Sequence, residues 1–174
     1  MENVNVANFA RAESDVAIKK MFDTAGGFGR WLHLRAPTPI DSQPVIRMNR
    51  DTLYSSAVLD LSEPATVVMP DTDGRYQSLH VINQDHYSFA TVDPGRYELT
   101  EEQVGTTYAY LIVRTFMDAD DPDDVEACNR AQDALAIEGG GNGPLDIPDW
   151  NVDQLATARD ALNTLAKLGA SNVG

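Results

Sequence analysis

From Leu53 to Phe116 the chain is cut by turn residues into short runs whose apolar side chains recur at every second position. That spacing suits strands with one buried face, and the turn-length connections leave no regular alternation of strand and helix. In the first run Leu53, Ser55, Ala57 and Leu59 share one side, with Tyr54, Ser56, Val58 and Asp60 on the other. Ala65–Met69 follows Pro64, and Pro70-Asp71-Thr72-Asp73-Gly74 reads as a turn. Arg75–Ile82 sets Leu79 and Val81 opposite Tyr76, Ser78, His80 and Ile82, and Ser88–Val92 and Arg96–Leu99 flank an Asp-Pro-Gly turn. Tyr108–Phe116 is the most β-like run, with Tyr108, Tyr110, Ile112, Arg114 and Phe116 on one face. An arginine in such a row is expected to have a carboxylate partner, because an unpaired buried charge is costly.

Helical spacing flanks this region. Val6, Phe9, Ala10, Ala17, Ile18, Met21 and Phe22 predict a helix over about residues 5–24, stopped by Gly26-Gly27. Phe28–Leu34 reads as an aromatic-rich connector, and a strand is expected at Val45–Met48 after three prolines. The acidic run Asp118–Asp124 lacks the glycine and terminal glutamate of a calcium loop. Its Pro122 and carboxylates instead favour a helix start, predicting a helix over about 122–137. Gly139–Pro144 reads as a flexible connector before a last helix over about 152–168, built on Leu155, Ala158, Leu162, Leu165 and Leu168. The prediction is an α+β, β-rich fold in one domain, 1–174. Its middle, about 45–116, is a mainly antiparallel sheet or sandwich, with helices at the N- and C-terminal ends. A Rossmann-like arrangement is disfavoured.

The balance of charges limits the partners. Nineteen aspartates and eight glutamates face three lysines and ten arginines, for a net charge of −14. Nucleic acid and anionic membranes, which are bound through basic clusters, are therefore poor partners. The acidity reads as a solubilising surface, or else as adaptation to a saline medium in which like charges are screened. Cys128 has no second cysteine to pair with. The N-terminus lacks the basic and apolar regions of a secretory signal, and no apolar run approaches the roughly 18 residues of a membrane span. A cytoplasmic location is expected.

Two stretches carry chemically able side chains. One is Arg47-Met48-Asn49-Arg50-Asp51-Thr52-Leu53-Tyr54, the other Asn83-Gln84-Asp85-His86-Tyr87, and they are expected to meet in the fold. Arg47, Asn49, Arg50, Tyr54, Asp85 and Arg114 are the candidate ligand-binding residues, with the forked donors of arginine suited to a carboxylate or phosphate. Local loop stabilisation by Asn, Asp and Arg–Asp pairs accounts for the first stretch equally well. His86, Asp51 and His80 are the candidates for proton transfer, since histidine titrates near neutrality. Asp85 and His86 are neighbours that would point apart on an extended backbone, so they are not expected to form a dyad. No metal-ligand spacing is present, no nucleotide loop follows the glycine pair, and Ser55 and Ser56 lack a nucleophile elbow. No cofactor is implied.

These residues resemble a known family. Asn8-Phe9 with Arg11-Ala12-Glu13, Val45 to Ser55, Gly74-Arg75-Tyr76, Val81-Ile82-Asn83, Asp85-His86-Tyr87, Gly105-Thr106, Val113-Arg114-Thr115, Asp120–Asp124 and Gln132-Asp133-Ala134 are similar to the domain of unknown function 1254 family. Its most specific part is Asn49-Arg50-Asp51-Thr52-Leu53-Tyr54. The resemblance implies a β-rich architecture and no established reaction. Many relatives are longer, often exported proteins with a second domain, domain of unknown function 1214. This chain ends shortly after Leu168, which predicts a stand-alone short form. The expected function is a small-molecule-binding domain with a polar pocket, and whether it is an enzyme stays open. The alternative is a non-catalytic interaction module that docks a separate partner domain or self-associates.

Overall fold

A computed structural model describes residues 1–41 and 49–170. In chain order its elements are α1 (Phe9–Ala25), β1 (Leu32–His33), β2 (Thr52–Asp60), β3 (Ala65–Met69), β4 (Gln77–Asn83), β5 (Ser88–Thr91), β6 (Gly95–Leu99), α2 (Glu101–Val104), β7 (Tyr108–Phe116), α3 (Pro122–Asp133), β8 (Ala136–Gly139) and α4 (Val152–Ala170). The strand expected at Val45–Met48 lies outside the described residues, and so does Arg47.

The strands pair antiparallel in two sheets, one ordered β1-β2-β7-β4-β5 and the other β6-β3-β8. At the centre, β7 runs in register with β2 from Thr52↔Phe116 to Asp60↔Tyr108, and with β4 from Gln77↔Thr115 to Asn83↔Ala109. Its alternation sends Leu111 and Val113 into one core, joined by Ala57 and Leu59 of β2 and by Leu79 and Val81 of β4. Ala65, Val67 and Met69 of β3, with Leu99 and Leu135, close that core from the other side. The sheets therefore form a sandwich, in which each fully buried Leu or Val contributes about 1.5–3 kcal/mol. The predicted fold class holds: α+β, with terminal helices flanking antiparallel sheets.

On the opposite face of the five-stranded sheet, α1 covers one half. Ile18 of α1, with Met21 and Phe22, packs on Val58, Tyr108, Tyr110 and Phe28. Asp15 anchors the helix there: it is completely buried, and its carboxyl oxygens accept from Gln84 Nε2 at 2.7 Å and Trp150 Nε1 at 2.9 Å. Gln84 Oε1 in turn accepts from the Tyr108 amide at 3.2 Å. One carboxyl group thus links α1, the β4–β5 turn, the start of β7 and the segment leading into α4.

Several boundaries differ from expectation. The first helix begins at Phe9, because Asn5 and Asn8 bond nearby backbone amides and hold residues 5–8 in a turn. The connector after it contains β1, whose Leu32 and His33 pair with Ser56 and Ser55. The helix expected over 122–137 ends at Asp133, and Ala136 and Ile137 belong to β8, paired with Val68 and Val67. Sheet pairing there overrides local helical spacing. The glycines that follow are a tight crossing: a Cβ on Gly139 would meet Pro64 O at 2.8 Å, and one on Gly141 would collide with Ser62 and Asp60. The acidic run does start a helix, with Asp121 accepting from the Asp123 and Asp124 amides at the N-cap and Pro122 following.

Asp15→Ala should leave the Gln84 and Trp150 donors buried without acceptors and lower stability by about 3 kcal/mol. Urea unfolding monitored by tryptophan fluorescence measures this, and an unchanged midpoint would show that the linkage carries little of the fold.

Candidate functional site

Where α1 stops, that helix leaves the outward face of the five-stranded sheet open, its side chains mostly half-buried, and the strand register determines what lies on it. Antiparallel partners project to the same side, so the face is built in rows across β2, β7 and β4. Val58, Tyr110 and Ile82 form the row beneath α1. Next come Ser56, Ile112 and His80, then Tyr54, Arg114 and Ser78, and at the end Thr52 and Phe116 with Tyr76. Arg114, Tyr54 and His80, three of the predicted residues, therefore share the open half.

Within it the Arg114 guanidinium lies over the Tyr54 ring, 5.6 Å from its centroid, a cation–π arrangement that orients the charge. The carboxylate partner expected for Arg114 is not found among the described residues, and its Nε is buried without a hydrogen-bond partner. Arg50 Nε and Thr52 Oγ1, at the same end of the sheet, are buried too and have no partner among the described residues. His80 titrates below the ordinary histidine value: partial burial disfavours its cation, and the positive charges of Arg114 and His86 add to that. These influences favour the neutral ring.

The two polar stretches do not meet. Asn83 aligns with the Leu59 end of β2 and Arg50–Asp51 lies beyond the Thr52 end, about 25 Å away at the usual rise of a strand. Asp85 is bound by Arg11 of α1, with Nε at 2.8 Å and Nη2 at 2.6 Å. His86 sits at a φ of 67° in the β4–β5 turn, where its Nδ1 contacts Ser14 Oγ at 3.2 Å. Both serve to dock α1, one through Arg11 and the other through Ser14. Asn83 Oδ1 builds this turn by accepting from the Asp85 and Tyr87 amides. At the other end, Asn49 Oδ1 accepts from the Asp51 amide at 2.7 Å, which ties Asn49 to the loop. Asp51 is exposed beside Arg50 and the acidic turn before α3. In that turn Asp124 is committed to Arg75, at 2.5 and 3.0 Å, and to the Asp118 amide, and these bonds draw its carboxyl down to about 2. Among the described residues no group of three His, Cys, Asp or Glu side chains is arranged to hold a metal ion.

Sequence reasoning did not single out Thr52, nor a second histidine network on the core side. His33 Nδ1 lies 2.8 Å from Ser55 Oγ, and Gln132 Nε2 donates to the same oxygen at 3.1 Å. The serine proton is then free for His33, which suits a neutral ring protonated on Nε2. Burial and Arg35 push the His33 pKa down, with Asp133 opposing. Ser55 is completely buried, so the contact is structural and offers no open nucleophile.

The comparisons agree with this architecture. The chain belongs to the family described as "Protein of unknown function (DUF1254)", which it matches over residues 28–139. Its fold is similar to that of the VPA0106 protein from Vibrio parahaemolyticus, with a TM-score of 0.58 and 21% identity over 82% of this chain and 41% of that one. The chain thus spans about two fifths of that protein's length. No curated protein matches the sequence. Among the described residues no helix is long and apolar enough to cross a membrane.

His33 and His80 set a pH dependence. The folded state resists protonation that the unfolded chain accepts near pH 6.5, so the unfolded state binds more protons just below that value and stability is lost as the pH is lowered. The denaturation midpoint should drop between neutral pH and about pH 5. The drop should shrink in a His33→Gln, His80→Gln variant, and a midpoint that rises on acidification would contradict the assignment.

Proposed function

We propose that the chain is a small-molecule-binding domain that takes an anionic or strongly hydrogen-bonding group on the open half of the outward sheet face. The observation that carries this reading is the trio of buried polar atoms at one end of that face, Arg50 Nε, Thr52 Oγ1 and Arg114 Nε, without partners among the described residues. Native proteins pair nearly all such atoms, and a buried guanidinium N–H without an acceptor is costly. The other orphaned atoms among the described residues, Trp31 Nε1, Gln77 Oε1 and Asn129 Oδ1, belong to uncharged groups. A carboxylate or phosphate brought to this end supplies the negative charge the two arginines lack, met by the outer nitrogens of their forks, and the Tyr54 ring keeps Arg114 oriented to receive it.

If the bound molecule reacts, His80 is the proton acceptor: it is neutral and one row from Arg114. His86 acts on it through charge, with its own Nδ1 against Ser14, and Asp51 has no reach to either histidine. Arg114→Ala and Arg50→Ala should each weaken the binding of acetate or inorganic phosphate at least about tenfold in calorimetric titration, with the unfolding midpoint nearly unchanged. Loss of stability with unaltered binding would leave both arginines a structural role.

The second reading, docking of a partner domain or another copy, is supported by α4. Its Leu155 is buried, whereas Leu162 and Leu165 on the same stripe are 39% and 63% exposed. Sedimentation at several concentrations should then give a mass that rises above 19.0 kDa as the stripe pairs. A constant monomer mass, alone and with candidate partner domains, would remove this reading.

A further inference from the structure

Beside the unpartnered arginine lies a feature that an inorganic anion would not use. Tyr76, just before β4, and Phe116, at the end of β7, are 52% and 46% exposed, and the Phe116 amide donates to Tyr76 O at 2.9 Å. Alternation along β7 puts Phe116 on the outward face with Arg114, and its backbone bond to Tyr76 extends the β4–β7 pairing by one residue. Phe116 stands two residues from Arg114 along one strand, and Tyr76 two residues from Ser78 along the next, so the pair forms the adjoining row about 7 Å away. Arg75, which precedes Tyr76 in the chain, is held by Asp124 through two hydrogen bonds and donates a third to Phe116 O. It is therefore already neutralised, whereas Arg114, like Arg50, still lacks an acidic partner among the described residues.

An aromatic ledge next to a guanidinium presents two recognition elements at a defined separation. Exposed aromatic faces bind flat apolar groups by stacking and by release of water, and the guanidinium binds a carboxylate through paired N–H donors. Resting on the anion-binding reading above, we infer that the ligand is an amphipathic organic acid. Its carboxylate meets Arg114, and its aromatic or compact apolar body lies over Tyr76 and Phe116. Tyr54 is excluded from stacking on that body by the Arg114 guanidinium that lies over its ring. The ledge accordingly sets selectivity, and the arginine sets the requirement for charge.

Calorimetric titration with hydrocinnamate, propionate, hydrocinnamyl alcohol and sulfate separates the two elements. Hydrocinnamate should bind at least about tenfold more tightly than propionate, which lacks the ring, and than the alcohol, which lacks the charge. Phe116→Ala and Tyr76→Ala, at positions exposed enough to leave the fold intact, should abolish the advantage over propionate while leaving propionate binding unchanged. Arg114→Ala should instead abolish the advantage over the alcohol, and Phe116→Leu should retain part of the ring's contribution. Equal affinity for hydrocinnamate, propionate and sulfate, insensitive to the ledge variants, would overturn the inference while leaving anion binding in place. No saturable binding of any of the acids would overturn both.

Discussion

The arrangement of this molecule depends on a carboxyl group withdrawn entirely from water. Asp15 accepts from Gln84 in the β4–β5 turn and from Trp150 ahead of α4, and so fixes where α1 crosses the sheet. A buried acceptor with two dedicated donors tolerates little sliding, because any displacement leaves polar groups unpaired in a medium that cannot replace water. Arg11 on Asp85 and Ser14 on His86 add contacts from the same helix to the same turn. With α1 held over the row of Val58 and Tyr110, the rows of Ile112 and Arg114 are left outside its cover.

The division between polar groups spent on the fold and those left over is what defines the site. Asn83, Asp85, His86 and Asn49 are all rich in hydrogen-bonding capacity, and each is consumed by a turn or by the docking of α1. Arg75 and Asp124 satisfy one another, as do Arg35 and Asp133, and Arg96 and Glu138. Against that background Arg50 and Arg114 stand apart, because each retains a buried donor without an acceptor among the described residues. In a protein of net charge −14, carboxylates are abundant, so two arginines left without one are difficult to explain by packing alone.

Much of the candidate face could be read from alternation. Tyr54 with Ser56, Tyr76 with Ser78 and His80, and Arg114 with Phe116 and Ile112 are each two residues apart, and a strand places such residues on one side whatever its neighbours. Alternation says nothing of which strand lies beside which. The expected meeting of Arg50–Asp51 with Asp85–His86 therefore failed: both are at strand ends, but register sets those ends far apart. Likewise Leu135-Ala136-Ile137 continues a helical pattern locally, and only pairing with β3 makes it a strand.

By itself, then, the sequence determined the strand-rich middle, its flanking helices, the faces of each strand and the family signature around Arg50, because these follow from local spacing and residue chemistry. Tertiary structure alone decided that β7 sits between β2 and β4, that α1 covers one half of the outward face, and that Arg114 is stacked on Tyr54 beside His80. The physical reason is that these depend on contacts between residues distant in the chain. Their selection comes from burying apolar surface and pairing buried polar atoms across the whole molecule, which no single segment records.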